Sequence, residues 1–413
     1  MASAVQKSRG YMILALLVVF LLALIFRQLA LALLIATILV SLGIARLWQH
    51  WALRRVEYRR ELSQLRAFPG DELTLTITMT NRKLLPLAQI QVFDAIPNGI
   101  TVVGAPVIFS ASRQANLIRR STGLRWYERV IWRYRLHCER RGAFRFGPAQ
   151  VQSGDPFGLF RTDETFAADA TLLVYPKLLN LADLGLPARD PLGLMRATAL
   201  VRDPLRVVGV RDYTPSDPLK DVHWAATART GTLQTRVYEP TTAHVLALVL
   251  DLDTFEFYFQ GIDPDLVEHL ISVTATLAHH SINAGHAVGL YVNGAPVEDE
   301  HLVRLPPGRS PNQLAQIMET LARLTAYSVL PAARLLRLIT TDLHPGATIV
   351  LISAVAPEPV QAALLRLHEL GFRVVWLFCG DQPPPPIPGV RSHWTPRRLT
   401  DQEATNLPYT PGG

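Results

Sequence analysis

Residues 206–240, RVVGVRDYTPSDPLKDVHWAATARTGTLQTRVYEP, decide the fold of the chain. They separate a region of alternating apolar and polar residues from a region in which predicted strands and helices alternate. The segment opens with a valine-rich run at 207–210 and closes with a second apolar run at 233–238, and both runs predict short strands. Between them, Asp217 followed by Pro218 is typical of a helix start, because the carboxylate caps the helix and proline needs no hydrogen-bond partner at the first helical position. The segment therefore predicts a strand, a turn, a helix and a second strand.

The polar residues of this segment carry both signs of charge. They are Arg211, Asp212, Asp217, Lys220, Asp221, His223, Arg229 and Arg236. Mixed charges at this spacing favour a mutually paired network over a single-sign patch for nucleic acid, so we expect no nucleic-acid partner. Gly231 is typical of a helix stop with positive φ.

The spacing of these residues resembles the signature of a prokaryotic family catalogued as a domain of unknown function, number fifty-eight. The matching positions are Arg211, Tyr213, Asp217, Lys220, Val222, Trp224, Ala228 and Arg229. Ser216 stands where that family usually has Gly, and Lys220 stands where Arg is common, which keeps the charge but loses the bidentate fork. The resemblance extends over nearly the whole chain.

The family resemblance implies a fold and a partner. Its members are membrane-anchored proteins with a von Willebrand factor A-like domain, often linked to MoxR-type AAA+ ATPases. We give the name central motif to Arg211, Tyr213, Asp217, Lys220, Trp224 and Arg229. We expect Arg211, Asp217, Trp224 and Arg229 to form a joint between two domains, with Trp224 contributing through packing.

Composition indicates a membrane protein with two or three domains in its 413 residues. Only 18% of residues are charged, the mean hydropathy is +0.18, and the net charge is +7. The two cysteines, Cys138 and Cys379, exclude a disulfide scaffold and fit a reducing compartment.

An apolar segment at the N-terminus, 11–48, begins at Tyr11 and ends at Trp48, and Arg27-Gln28 interrupts it. One membrane-spanning helix needs about 20 residues, so the segment is too long for a single span and favours a helical hairpin. A cleaved signal peptide with Ala30-Leu31-Ala32 as its cleavage site is the rival interpretation, although the apolar run continues past that site.

Basic residues flank this hairpin on both sides. They are Lys7 and Arg9 before it, and Arg46, Arg54, Arg55, Arg59 and Arg60 after it. Because basic flanks stay on the cytoplasmic side, we expect a multi-pass protein of the cell membrane with both termini and its soluble part in the cytoplasm.

Alternating apolar and polar residues between 61 and 185 predict a small antiparallel β-sandwich. Its clearest strand, 126–138, places Trp132 and Tyr134 on one face and Arg133 and Arg135 on the other. The basic face suggests nucleic acid or lipid headgroups, but a solvated outer face is the ordinary state of an antiparallel sheet and is favoured.

Strands and helices alternate after the central motif and predict an open parallel sheet. The predicted strands are 244–252, 287–292, 347–354 and 373–379, and the last of these is expected to end the sheet. Asp263-Pro264 predicts one helix start, and residues 310–313 have the form of a capping box that predicts another. The proline-rich tail is expected to be extended.

The predicted fold class is therefore α+β and multidomain: a transmembrane helical hairpin, a small antiparallel β-sandwich, then an α/β open parallel sheet of von Willebrand A-like type. The predicted domain ranges, in chain order, are a membrane hairpin with a juxtamembrane segment (1–60), the sandwich (61–185), the central motif with a linker (186–240), the α/β domain (241–381) and the tail (382–413).

The first α/β strand ends where the von Willebrand A-like fold often carries a metal site, written Asp-x-Ser-x-Ser. Here the loop begins with Asp251, and Asp253 and Phe255 replace the two serines. Two clustered carboxylates remain a degenerate candidate for a hard cation, and a metal-dependent adhesion module is disfavoured by Phe255.

Other chemistry has weaker support. Ser216, Asp221 and His223 resemble a nucleophilic triad in composition, but proximity in sequence does not fix triad geometry. Neither a GxxxxGK[ST] loop nor a GxGxxG fingerprint occurs, so we expect no nucleotide hydrolysis and no cofactor.

The sequence predicts a non-enzymatic, membrane-tethered cytoplasmic adaptor for a protein partner, and the resemblance makes a MoxR-type AAA+ ATPase the candidate. A hydrolase-like enzyme with a site within 211–229 is the alternative.

Overall fold

A computed structural model describes residues 2–104, 106–110, 115–155, 160–167, 169–187, 201–215, 217, 219–241, 245–256, 260–297, 301–310 and 312–395. The chain divides into two compact units, Met1–Val174 and Tyr175–Gly413, and each is described here by itself. Ser216, Pro218 and the part of the tail after residue 395 lie outside the described residues, as do the predictions made for them.

The first unit contains two helices followed by strands. The elements are α1 (Ala2–Ile25), α2 (Leu29–Ala52), β1 (Val56–Leu62), β2 (Arg66–Ala67), β3 (Glu72–Asn81), β4 (Leu87–Ile96), β5 (Ile100–Val103), β6 (Val107–Ser110), β7 (Ala115–Leu124), β8 (Arg129–Cys138), β9 (Gly142–Phe146), β10 (Ala149–Gly154), β11 (Arg161–Phe166) and β12 (Ala170–Val174).

Helix α2 is long and apolar enough to cross a membrane, and it is the one such helix among the described residues. In α1 the described apolar stretch, Leu14–Ile25, is shorter. Large apolar side chains such as Leu21, Leu33 and Ile44 are exposed along both helices. A candidate membrane helix near the N-terminus is thus confirmed, whereas a second crossing and the cytoplasmic side stay predictions.

The strands of the first unit form antiparallel sheets around one core, as predicted. The order is β1-β3-β8-β5 in one sheet, β11-β10-β4-β7-β6 in a second, and β2-β12-β9 in a third, where β2 and β12 run parallel. Leu75 and Ile77 of the first sheet share the core with Ile90 and Val151 of the second. Strand β8 begins at Arg129 and not at the predicted residue 126, and within it Tyr134 and alternate residues turn inward while the arginines are exposed, which confirms the predicted alternation.

The juxtamembrane arginines do not all flank the helices, which corrects one prediction. Strand β1 starts at Val56, so Arg60 lies in the sheet, and its side chain is buried in an ion pair with Asp94. The Tyr58 hydroxyl donates to the same carboxylate at 2.6 Å. Burial, and then the charge of Asp94, raise the pKa of Tyr58. Arg60 therefore stabilises the sandwich core and does not contribute an exposed basic flank.

Helix α2 continues directly into the sandwich. Ala52 and Leu53 belong to its core. The Lys83 amine donates to the carbonyl oxygens of Ala52 and Arg54, the second at 2.6 Å, and thereby satisfies carbonyls that the helix end leaves without partners. Burial lowers the pKa of Lys83 to about 8.

The second unit holds the central segment and the α/β sheet. The elements are β13 (Val201–Asp212), α3 (Trp224–Thr230), β14 (Gln234–Thr241), β15 (Val245–Leu250), α4 (Pro264–Asn283), β16 (Ala287–Val292), β17 (Gly294–Pro296), β18 (Arg304–Gly308), α5 (Gln313–Arg323), β19 (Leu324–Ser328), α6 (Ala332–Leu338), β20 (Thr348–Ser353), α7 (Glu358–Glu369), β21 (Arg373–Phe378) and β22 (Arg391–Trp394).

The six-stranded sheet has the order β18-β16-β15-β20-β21-β22, and all its pairings are parallel except that of β18. Leu246 and Leu248 pack with α4 and α5 on one face, and Ala247 and Val249 pack with α6 and α7 on the other. Leu184, placed by the sequence at the end of the sandwich, contributes to the core on the first face.

Two expectations for this sheet are wrong. The strand predicted to end it, β21, is followed by β22, which lies in the tail expected to be merely extended. The predicted capping box at 310–313 also fails, because α5 begins only at Gln313, and the Gln313 amide donates instead to the carbonyl oxygens of Val288 and Pro306, at 2.8 and 3.1 Å.

Candidate functional site

The central motif is built around a bidentate ion pair. Arg211, near the end of β13, donates from Nη1 and Nη2 to the two carboxylate oxygens of Asp217, at 2.8 and 2.7 Å. Thr214 adds its backbone N–H at 3.0 Å and its hydroxyl at 2.8 Å. The guanidinium, and then the Thr214 N–H, lower the pKa of Asp217 to about 2. Asp217 is therefore a carboxylate at neutral pH, buried but fully supplied with donors.

This pairing moves the helix start away from the predicted position. A 3-10 turn spans Leu219–Asp221, and α3 begins only at Trp224. Because the Asp217 carboxylate accepts from Arg211 and Thr214, it does not cap a helix, and that prediction is wrong. Side-chain competition for one carboxylate has overridden the local capping signal.

His223 supplies the cap that was expected from Asp217. Its Nδ1 accepts from the backbone N–H of Ala226 at 3.0 Å. Gly231 ends α3 with a φ of 74°, as predicted. Ser216 of the alternative triad lies outside the described residues. A ring nitrogen committed to a helix cap does not serve as a general base, so the geometry lends the triad no support.

The other central-motif residues divide between the interior and the surface. Trp224 is 66% exposed, so the expectation that it acts through packing is wrong. Arg229 is exposed and donates from Nε to the carbonyl oxygen of Ala225 at 3.3 Å. Tyr213 is half-buried, and its backbone N–H donates at 2.8 Å to the carbonyl oxygen of Leu233, just before β14. The Lys220 side chain is outside the described residues.

Sequence reasoning missed Gln234, which is buried at the start of β14. Its Nε2 donates to Asp212 Oδ1 at 2.6 Å, and its backbone N–H donates to the Thr227 hydroxyl at 3.0 Å. The residue thereby ties β14 to both β13 and α3. The available signal was a glutamine placed where the turn after α3 meets a predicted strand.

A second polar cluster lies at the carboxyl end of β15. Asp251 is 1% exposed, and its Oδ1 accepts from Asn293 Nδ2 at 2.7 Å and from the Asp253 N–H at 3.1 Å. The other oxygen, Oδ2, is buried without a hydrogen-bond partner. Burial, and then the charge of Asp253, raise the pKa of Asp251 well above its usual value. Protonation of the Asp251 carboxyl removes both the free-energy cost of burying its charge and its repulsion from the Asp253 carboxylate.

Asn293 and Ser328 complete this cluster, and neither was predicted from the sequence. Asn293 directly follows β16, and its Oδ1 accepts from the Leu252 N–H at 2.9 Å. The Ser328 hydroxyl donates to Asp253 Oδ1 at 2.6 Å. Asn293 could have been found by its place after the strand neighbouring β15, but Ser328 comes from a small ribbon with no such signal.

The cluster borders a cavity of about 550 Å³ lined by residues that include Asp253, Thr254, Tyr327 and Ser328. The cavity lies beyond the carboxyl end of β15, and ligands of open α/β sheets bind beyond the carboxyl ends of the strands. The site is therefore placed where this architecture ordinarily binds a ligand.

The side chains do not form a hard-cation cage. A cage needs six or more oxygens, but the Asn293 amide points N–H donors at Asp251 Oδ1 and, at 3.5 Å, at Asp253 Oδ2. Within the described part of the chain, no group of three or more His, Cys, Asp or Glu residues is arranged to hold a metal. The Asn293 amide takes over the bridging that a cation would provide.

Comparisons with solved structures give no usable guide. The GAE domain of GGA2p from Saccharomyces cerevisiae is 13% identical, covers 29% of this chain and 89% of its own, and has a TM-score of 0.20. A cohesin–dockerin complex from Clostridium thermocellum is 8% identical over 29% of this chain and 99% of its own, with a TM-score of 0.21. Scores this low carry no argument.

Sequence relatives are more informative. "Uncharacterized protein YeaD" of Bacillus subtilis (strain 168) is 26% identical over 242 residues, which are 58% of this chain and 56% of the relative. The chain thus matches about half the length of that relative. Residues 209–348 match the family described as "Protein of unknown function DUF58". The predicted family match is therefore confirmed: from the central motif to the start of β20, the chain is similar to DUF58.

Proposed function

We propose that this chain is a non-enzymatic, membrane-tethered cytoplasmic adaptor whose second unit binds a protein partner. The observation that carries the proposal is Trp224, two-thirds exposed at the start of α3 and inside the family match. Tryptophan and arginine are enriched among the residues that dominate binding energy at protein interfaces.

The surroundings of Trp224 support a binding surface. Leu219, five residues earlier, is 69% exposed, and Arg229 is exposed on the same short helix. The charged groups that would serve an enzyme, Arg211 and Asp217, are already engaged with each other. An apolar contact zone beside an internally paired ion pair suits recognition of a partner better than bond-breaking chemistry.

The tether rests on α2 and on the exposed apolar side chains of both N-terminal helices. We propose that α1 and α2 form a membrane hairpin with both termini cytoplasmic. Reporter fusions at residues 1 and 413 test this topology. A reporter that places either end outside the cytoplasm contradicts it.

For the partner we propose a MoxR-type AAA+ ATPase, because the family resemblance associates the two. The strand order of the sheet and the position of Asp251 at the end of β15 support a von Willebrand A-like assignment for the α/β region. Neither feature depends on a functioning metal site, so the adaptor role does not require one.

The test is co-purification of a MoxR-type ATPase with the full chain from membranes. We expect Trp224→Ala to reduce capture at least about tenfold, as truncation of an interface tryptophan commonly does. Trp126→Ala is the matched control, since Trp126 is 64% exposed and lies in the first unit. Undiminished capture by Trp224→Ala, or equal loss with Trp126→Ala, contradicts the proposed surface.

A further inference from the structure

A cavity of about 540 Å³ lies in the first unit between the C-terminal turns of α2 and the start of β11. Its lining residues are Gly43, Arg46, Leu47, Gln49, His50 and Thr162. The first five come from one helix at spacings of three to four residues, so most of them share a face. None of the six carries a carboxylate, and Arg46 supplies a permanent positive charge.

The walls of this cavity are held in place from both sides. Gln49 Nε2 donates to the carbonyl oxygen of Arg161, at the start of β11, at 2.9 Å. Phe160, one residue earlier, is buried against Leu42 and Ala45 of α2. Helix and strand are therefore fixed together directly beside the cavity, and the cavity is a built feature of the first unit.

Further donor groups lie at its outer end. Arg54 Nη2 donates to His50 Nε2 at 3.0 Å, which leaves the Nδ1–H of His50 as its free donor, and the Arg54 guanidinium stacks over the Trp51 ring at 5.3 Å. Arg46 lies one turn earlier on α2 and is exposed. Guanidinium groups bind phosphate oxygens in a planar, bidentate manner, which makes a phosphate the ligand best matched to this set of donors.

The depth of the cavity identifies the source of that phosphate. At a rise of about 1.5 Å per residue, Arg46 lies about 26 Å along α2 from Leu29. The hydrocarbon core of a bilayer is about 30 Å thick, so a spanning α2 brings Arg46 and His50 to the headgroup layer. Trp51 follows at the depth where tryptophans gather.

We propose that this cavity binds the phosphate of an anionic phospholipid headgroup, held by Arg46 and His50. The inference rests on the proposed membrane tether. Basic side chains beside a membrane helix are attracted to anionic lipid. Here β11 closes one side of the cavity, so that the lipid headgroup would bind at a defined position. Free inorganic phosphate could accept the same hydrogen bonds as the headgroup phosphate, but it lacks the acyl chains that anchor a phospholipid in the bilayer.

The experiment uses the full chain in detergent and measures binding of phosphatidylglycerol, phosphatidylcholine and inorganic phosphate by native mass spectrometry and thermal shift. We expect a clear preference for phosphatidylglycerol. The double variant Arg46→Gln/His50→Gln should weaken that binding at least about tenfold, because charge-assisted hydrogen bonds are lost. Arg59→Gln removes the same arginine charge from an exposed site outside the cavity and should leave binding unchanged.

A second variant fills the cavity without touching its charges. A side-chain carbon added at Gly43 meets no atom within 4 Å, so Gly43→Leu should fold and exclude the headgroup. Equal binding of phosphatidylcholine, or unweakened phosphatidylglycerol binding in both variants, overturns the proposal. Inorganic phosphate binding as tightly as the lipid overturns the lipid assignment.

Membrane sedimentation of the wild-type chain separates this proposal from the tether itself. If the chain sediments with membranes but shows no anionic preference, only the headgroup site fails. If it does not sediment with membranes, the proposed tether fails, and the headgroup site fails with it.

Discussion

Asp217 and Asp251 are both buried carboxyls in the second unit, yet their surroundings act on them in opposite directions. Asp217 receives a bidentate guanidinium and two donors from Thr214, and its pKa falls to about 2. Asp251 faces another carboxylate with only an amide and a backbone N–H in support, and its pKa rises. The comparison shows that the number and charge of donors decide the ionisation state of a buried aspartate.

The largest effect should come from removing the amide that holds the Asp251 cluster together. Asn293→Ala leaves Asp251 Oδ1 without its strongest donor and the Leu252 N–H without an acceptor, each costing roughly 1–3 kcal/mol. The melting temperature of the detergent-solubilised full chain measures the loss. Asn283→Ala, at an exposed helix end, is the control, and an equal shift in both variants would contradict the role given to Asn293.

A smaller loss is expected from breaking the other pair. Arg211→Ala leaves Asp217 with Thr214 as its remaining side-chain partner, but water reaches a site whose arginine side chain is 46% exposed. The melting temperature should fall by less than in Asn293→Ala and by more than in Arg229→Ala, which removes an exposed arginine of the same segment. A fully stable Arg211→Ala chain would show that the pair is a working surface.

The two aspartates should give opposite pH dependence. The folded pKa of Asp217 lies below its ordinary 3.8, so its contribution is present above that pH and is lost as the pH falls toward about 2. The folded pKa of Asp251 lies above 3.8, so its contribution is full below that value and is lost as the pH rises.

Asparagine substitutions measure this difference. Relative to wild type, Asp251→Asn should gain thermal stability as the pH is raised from about 4 to about 8, whereas Asp217→Asn should show no such gain. Parallel pH curves for wild type and Asp251→Asn would mean that Asp251 is ionised in the folded chain.

Trp224→Ala should change the free energy of unfolding by less than about 0.5 kcal/mol, because its side chain is largely exposed and contributes little packing. Chemical denaturation of the full chain measures the change. A loss of several times that size would restore the structural role that the sequence suggested for Trp224.

The smallest expected effect is that of a metal chelator. Because the Asn293 amide already bridges the carboxyls of Asp251 and Asp253, EDTA should leave the melting temperature unchanged. A fall that magnesium or calcium reverses would reveal a cation held in the folded chain.

The dipeptide Asp-Pro occurs at two predicted helix starts, and it shows what the sequence could and could not predict. Asp263 precedes a proline and caps α4 as expected, accepting from the N–H groups of Asp265 and Leu266 at 3.0 and 3.1 Å. Asp217 also precedes a proline, but Arg211 on the preceding strand, β13, donates to its carboxylate. A capping signal involves only the residues at the helix start, whereas the competing donor lies six residues earlier and is brought in by the turn after β13, whose geometry the sequence pattern does not specify.

In the candidate site, too, the local features were predictable from the sequence and the contacts between distant segments were not. Asp251 and Asp253 were found because they directly follow a strongly apolar strand, and the fold places their carboxyls together. Asn293 and Ser328 reach them across about 40 and 75 residues of chain, so no local pattern announced the contact. The exposure of Trp224 could not be predicted either, since an aromatic residue at helical spacing is compatible with the buried or the exposed face of a helix.

Strand β22 has a consequence for anyone who shortens the chain. It is four residues long, carries Arg391, and follows the run Pro383-Pro384-Pro385-Pro386, features that discourage further strand addition at a sheet edge. Removing the proline-rich tail would uncover β21, an almost wholly buried apolar strand. A truncated chain should therefore self-associate through that bare edge and precipitate, although its helices and remaining strands are intact.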